Sequence, residues 1–248
     1  MGVGRGAPGA RTGAATGTVT GAVTGTGRGG CVRADDGGAV PAWAVASAVL
    51  APVAMIGGWT LAAALQPGFD PVAGTISALA ATTATAPAVM TAGLALTGAA
   101  HVGTALGTRP LPRAGRLLHA LGGIATVAVA ALPVDRAPQA HGLAAAVAFG
   151  ALALWPAAAW RRGTTHGRTD VRPDRPAVTR PAVALTASAV LLALLTWFVL
   201  ELQGVGPARG AWTGLSERAV AGAQALWPLA VVLSLRADAA RRRSGTHP

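Results

Sequence analysis

The sequence predicts an all-α polytopic integral membrane protein, a helical bundle of six transmembrane helices with N-in/C-in topology. Three observations carry this. Of 248 residues, 52% are hydrophobic and only 12% are charged, a balance that suits a bilayer. The apolar residues gather in runs of about 20, long enough to cross roughly 30 Å of hydrocarbon. The 20 basic residues, all arginine, are dense in every second segment between those runs.

The formal net charge of +11 would suit a nucleic-acid partner if the arginines formed one face. They are instead divided among the polar segments, so they read as topology signals and no nucleic acid is expected. The single cysteine, Cys31, excludes an intramolecular disulfide and a cysteine-based zinc site.

Residues 1–40 are Gly, Thr, Ala and Arg with Asp35 and Asp36, and hold no apolar run to serve as a signal-peptide core. They predict a disordered cytoplasmic arm, of the kind a start codon assigned too far upstream produces. The membrane domain covers 41–238, and 239–248 form a basic cytoplasmic tail. The first span runs over 41–64, opened by Pro41 and carrying Pro52. A loop rich in Gly and Pro follows, with Asp70 and Ser77 as its polar content. The second span covers 87–106 and carries His101; the third covers 115–132 and carries His119. The chain then enters a short polar stretch, Leu132 to Gly142, in which Asp135, Arg136 and His141 crowd together. A fourth span covers 139–160. The most basic loop, Arg161 to Arg180, separates it from the fifth, 181–203, which ends on Glu201 and Gln203. The sixth covers 217–235, beginning at Glu217 and Arg218.

Seventeen arginines fall on the side that holds both termini, and only Arg136, Arg209 and Arg218 on the other. The positive-inside rule then places both termini in the cytoplasm of a bacterial cell, in its plasma membrane. With that topology Asp70, Ser77, Asp135, Arg136, His141, Glu201, Arg209, Glu217 and Arg218 all lie near the outer face. Ionisable groups at the edge of the hydrocarbon avoid lipid, so they are expected to share one outward-facing polar cleft.

Two readings of the cleft stay open. In one, His141 is a general base oriented by Asp135, or the two bind a polar headgroup or cation. In the other, Asp135 and Glu217 cap helices and pair with Arg136 and Arg218. Ser77 is a nucleophile only if His141 reaches it; its ordinary job is to begin a short helix. His101 and His119 can face each other near the inner surface, far from His141, so the three make no metal site; packed or interface-facing histidines are expected there, ahead of a proton relay or metal pair. No phosphate-binding loop, His-Glu-x-x-His, nucleophile elbow or Cys-x-x-Cys is present, and no cofactor is expected. Beyond Gln224 and a few Ser and Thr the spans carry little polarity, which disfavours a continuous ion pathway. Gly103-Thr-Ala-Leu-Gly107 is a small-xxx-small pattern that permits close helix packing.

The order of three motifs along the spans carries a family resemblance. They are Gln66-Pro-Gly-Phe-Asp-Pro followed by Thr75-Ile-Ser-Ala-Leu79, Leu132-Pro-Val-Asp135 with His141 six residues on, and Gly214-Leu-Ser-Glu-Arg218 with Trp227 downstream. The chain resembles the DUF998 family of bacterial and archaeal multi-pass membrane proteins of unknown function, over about residues 41–238. The resemblance implies that Asp70, Ser77, Asp135, His141, Glu217 and Arg218 occupy the family's polar positions. Glu217 departs from the Gln-Arg form of some relatives, which argues against an obligatory carboxylate there. The resemblance implies an architecture and no activity.

The functional expectation is a cleft that binds a lipid headgroup or small polar ligand, in an envelope or transport-like role. One alternative is a membrane-embedded enzyme acting on a lipid or isoprenoid substrate; another is an accessory subunit packed against a membrane protein partner.

Overall fold

A computed structural model of the protein describes residues 1–2, 39–160 and 176–244. Six long helices stand where the apolar runs predict them: α1 (Ala42–Ala64), α3 (Pro87–Gly107), α4 (Arg113–Ala131), α5 (Pro138–Ala158), α6 (Pro181–Leu202) and α7 (Thr213–Ser244). Each is long and apolar enough to cross a membrane. A one-turn helix, α2 (Ile76–Leu79), lies between α1 and α3. The arm from residue 3 to 38, with Cys31, lies outside the described residues, as do 161–175 of the basic loop, with His166, and the last four residues, with His247.

Proline opens α3, α5 and α6 at the first turn, where its missing N–H leaves no bond unmade. Pro41 stands one position earlier relative to its helix, as the cap residue of α1. The largest departure from the predicted boundaries is α7. It begins at Thr213, a turn before the apolar run, and continues to Ser244, so Arg241, Arg242 and Arg243 ride on its last turn. The polar run continues the helix because nothing between Leu235 and Ser244 breaks it: there is no Gly or Pro.

Each long helix packs on the next in the chain, and α7 closes the ring against α1. Many small residues point inward and many large ones outward, with Trp155 and Met90 among the large side chains that are buried. Ala44, Ala48 and Ala51 are wholly buried, whereas Leu117 and Leu143 are each 69% exposed. The inversion follows from the solvent. Lipid is as apolar as leucine, so burying leucine gains little, and association rests on the close approach that Gly and Ala allow. Gly103 and Gly107 lie against Ser47, and against Ala44 and Trp43, so the small-xxx-small pattern seats α3 on α1. At the crossing of α3 and α4, a Cβ on Gly98 would stand 2.5 Å from the Gly123 carbonyl oxygen, and one on Gly123 would stand 2.7 Å from that of Gly98.

The connections after α1, α4 and α6 share one end of the bundle and interlock there. Leu215 N–H donates to the Val72 carbonyl at 2.9 Å, and Gly214 lies directly against the Pro71 and Gly74 carbonyls, where a side chain would not fit. Segment 65–86, with α2 inside it, thus forms a lid held by the other two connections.

Candidate functional site

Most charged groups of the lid end are engaged by backbone. Asp70 Oδ1 accepts the Val72 N–H at 2.8 Å, a turn within its own loop. Asp135 accepts the Thr82 N–H at 3.0 and 3.1 Å on its two oxygens and also the Thr82 hydroxyl, while Arg136 Nε donates to that hydroxyl oxygen at 3.2 Å. The Thr82 hydroxyl and then its amide hold the Asp135 carboxyl below the ordinary carboxylate value. Glu201 is buried and accepts the Ala208 and Gly210 N–H groups, each at 2.9 Å, which curls the α6–α7 connection over it. Arg218 Nη1 donates to the carbonyls of Pro71, Gly74 and Gly214 at 2.8, 2.8 and 2.9 Å, and its guanidinium lies 5.6 Å from the centre of the Phe69 ring. The expected ion pairs between Asp135 and Arg136 and between Glu217 and Arg218 are not formed. Among the described residues the ion pair is Arg241 with Asp238. Backbone groups win these charges because the loops carry many unpaired amides and carbonyls beside them.

One group of side chains is arranged differently. Thr75 caps α2, its hydroxyl accepting the Ala78 N–H at 3.0 Å, and this sets Ser77 on the first turn. His141, on the first turn of α5, places Nε2 3.0 Å from Ser77 Oγ and Nδ1 2.7 Å from the Leu132 carbonyl oxygen. On the other side Ser77 Oγ lies 3.4 Å from Glu217 Oε1, and Glu217 Oε2 accepts the Ile76 N–H at 2.5 Å. Glu217 therefore holds the start of α2 and not that of its own helix, which begins four residues earlier. Both Glu217 and His141 are buried.

Hydrogen-bond direction gives this row a chemistry. A carbonyl only accepts, so the neutral His141 ring carries its proton on Nδ1 and receives the Ser77 hydroxyl proton at Nε2. Ser77 then has only lone pairs to offer Glu217, and their contact closes when the carboxyl carries a proton. Moving one proton from Glu217 to His141 reverses every bond in the row: Nε2–H donates to Ser77, and Ser77 donates to a carboxylate.

Of the six residues expected at the site, the structure brings Ser77, His141 and Glu217 into one row. Arg218 is adjacent in sequence but turned to the lid carbonyls, while Asp70 and Asp135 serve the rim. The partner of His141 is Ser77, with a backbone carbonyl as orienter in the place foreseen for Asp135.

The interior holds more than its sparse polar residues suggested. A cavity of about 40 Å³ is bordered by Ser77 and Glu217 at the lid end and by Gln224, Thr126, Thr97 and His101 deeper in the bundle. His101 Nδ1 lies 2.9 Å from His119 Nε2, and the His119 ring stacks on Trp155 with centroids 4.4 Å apart and planes 9° from parallel. The facing of these histidines was legible. The signal overlooked was the spacing Thr97, His101, Thr104, Thr108, a buried polar stripe at helical period along α3.

Six apolar helices in a closed ring, with a polar row sealed under the loops of one end, define a multi-pass integral membrane protein. The family model described as "Protein of unknown function (DUF998)" matches residues 48–234, which covers α3 to α6 whole and most of α1 and α7, and the chain belongs to that family. No curated protein and no solved structure matches the chain.

Proposed function

We propose that the protein is a transport-like binding component of the bacterial plasma membrane, with both termini in the cytoplasm and the lid facing out. Its site is the row Glu217, Ser77 and His141, and its ligand is a small molecule or lipid headgroup that carries an amine. The distribution of arginine supports the orientation. One observation carries the site: Glu217 is a buried carboxyl bordering a cavity, bonded to Ser77 and the Ile76 amide, while the neighbouring Arg218 turns its Nη1 to three carbonyls and makes no ion pair with it. Arg218 acts on that carboxyl through space and not by contact, and an ammonium group in hydrogen-bond contact would complete it. The cavity at about 40 Å³ suits a head of that size and no acyl chain, so the body of a lipid ligand would stay outside the bundle.

Thermal-shift titration of the detergent-solubilised protein tests this, with glycerophosphoethanolamine and glycerophosphoglycerol as probes and intact phosphatidylethanolamine as the lipid arm. The expected result is stabilisation by the amine probe or the amine lipid, absent with the glycerol head and lost in Glu217→Gln. Equal response to both heads would overturn the amine assignment.

A second reading draws on the Ser77–His141 contact, which is nucleophile-to-base geometry for acyl transfer from a lipid ester. Against it, the first amide of α2, where an oxyanion would be held, is already taken by Glu217. A fluorophosphonate probe decides between them: covalent labelling of Ser77 that His141→Ala abolishes supports a hydrolase, and an unlabelled protein removes that reading.

A further inference from the structure

Ser77 and Glu217 of the polar row and His101 of the histidine pair border one cavity, and the two together imply more than a binding site. By helix rise, Glu217 lies about 6 Å from the start of α7 and His101 about 21 Å from the start of α3, so roughly 15 Å of bundle separates them. Between them Thr97 and Thr126 give their hydroxyl protons to the Gly93 and Gly122 carbonyls, at 2.7 and 2.8 Å, which leaves their oxygens as acceptors. Gln224 Nε2 donates to the Phe149 carbonyl at 2.9 Å, which leaves its amide oxygen as another. A space of about 40 Å³ lined by such acceptors holds roughly three or four waters, at 10–15 Å³ of probe volume each.

We propose that this cavity is an internal proton route, through which Glu217 exchanges a proton with the His101–His119 pair. The proton leaves the Glu217 carboxyl O–H for a cavity water and passes along the waters by exchange of O–H bonds. It is taken up by the unprotonated nitrogen of His101, leaving a carboxylate at one end and an imidazolium at the other. The imidazolium keeps one N–H···N bond between the two rings, so the charge is shared across the pair. The Trp155 face against His119 is placed to stabilise that charge by a cation–π contact. The Glu217 carboxylate is reprotonated from solvent at the lid end, one proton entering for each proton passed to His101. Of the cavity's lining residues only Glu217 and His101 titrate. The groups facing Glu217 are Ser77 and the Ile76 amide on α2, with Arg218 beside it on α7; those facing His101 are His119 on α4 and, beyond it, Trp155 on α5.

The route goes beyond the binding reading and needs no ligand. Its test is hydrogen–deuterium exchange at the ring N–H groups of His101 and His119, followed by NMR on the full chain carrying isotope-labelled histidine. In the native protein the pair is expected to exchange although both rings are buried. Glu217→Gln, which keeps an acceptor for Ile76, and Gln224→Leu, which fills the middle of the cavity, are each expected to slow that exchange at least tenfold while the helical signal and the His141 resonance stay in place. Exchange at the native rate in both variants, or none in the native protein, would overturn the route. Gln224→Leu leaves Glu217 intact, so failure of amine binding and failure of the route are read separately.

Discussion

The rim of the lid end and the row beneath it use the same residue types to different ends. On the rim Asp70, Asp135, Glu201 and Arg218 are each matched to backbone amides or carbonyls of a neighbouring turn, and their work is to fix loop shape. Beneath it Glu217, Ser77 and His141 contact one another as well as backbone, and Glu217 and Ser77 border a cavity. A charge bonded to backbone has one useful protonation state, whereas a charge bonded through a hydroxyl to an imidazole has two. The difference teaches that charge density in a sequence locates the end of a bundle where chemistry sits, and that side-chain-to-side-chain bonding locates the chemistry.

The largest expected effect lies in neither region but in the packing that supports the deeper one. Gly123→Val drives a side chain into α3 beside His101 and is expected to cost at least the 1–3 kcal/mol usual for overpacking, separating the histidine rings. A large fall in Tm in detergent, with loss of the native His101 and His119 ring signals, checks it.

Next in size is the rim. Asp135→Leu removes the acceptor of the Thr82 amide, and Tm is expected to fall while any amine response at Glu217 persists. The same residue gives a pH signature. Because folding lowers its pKa, the ionised form stabilises the native state fully above the unfolded value near 4, and that contribution disappears as pH falls through the folded value. Tm measured in descending pH should therefore bend downward below about pH 4, and Asp135→Asn should reduce the bend.

Smaller still is Ser77→Ala. Glu217 keeps its Ile76 bond, so the cost should lie near 0.5–1.5 kcal/mol, the usual worth of one hydrogen bond, yet the link between Glu217 and His141 is cut. Loss of the amine response with little change in Tm is the expected pattern. The smallest effect is expected from Arg209→Gly. Arg209 sits at φ 50°, a left-handed conformation that glycine adopts freely, so the substitution should stabilise by no more than about 1 kcal/mol.

The spans were legible because a run of about 20 apolar residues has few other uses, and arginine density alternates with them. The start of α7 was not, since Thr213 to Ser216 mix Thr, Gly and Ser with a single Leu, and the lid packs on them. Within the site, the residue types and their common end of the bundle were legible from topology. Their pairing was not. Ser77, His141 and Glu217 come from three separate segments, and the loop geometry that joins Ser77 to His141 in place of Asp135 depends on Thr82 claiming Asp135, a contact across 53 residues that no local pattern records.

The most direct test is native mass spectrometry of the protein released from mild detergent, run in parallel on the native chain, Asp135→Asn, Ser77→Ala and Glu217→Gln. The predicted result is a discrete small-molecule adduct that survives Asp135→Asn and is lost in Ser77→Ala and Glu217→Gln. An adduct lost in Asp135→Asn but kept in Glu217→Gln, or a bare mass in every sample, would contradict the assignment of function to the row and not the rim.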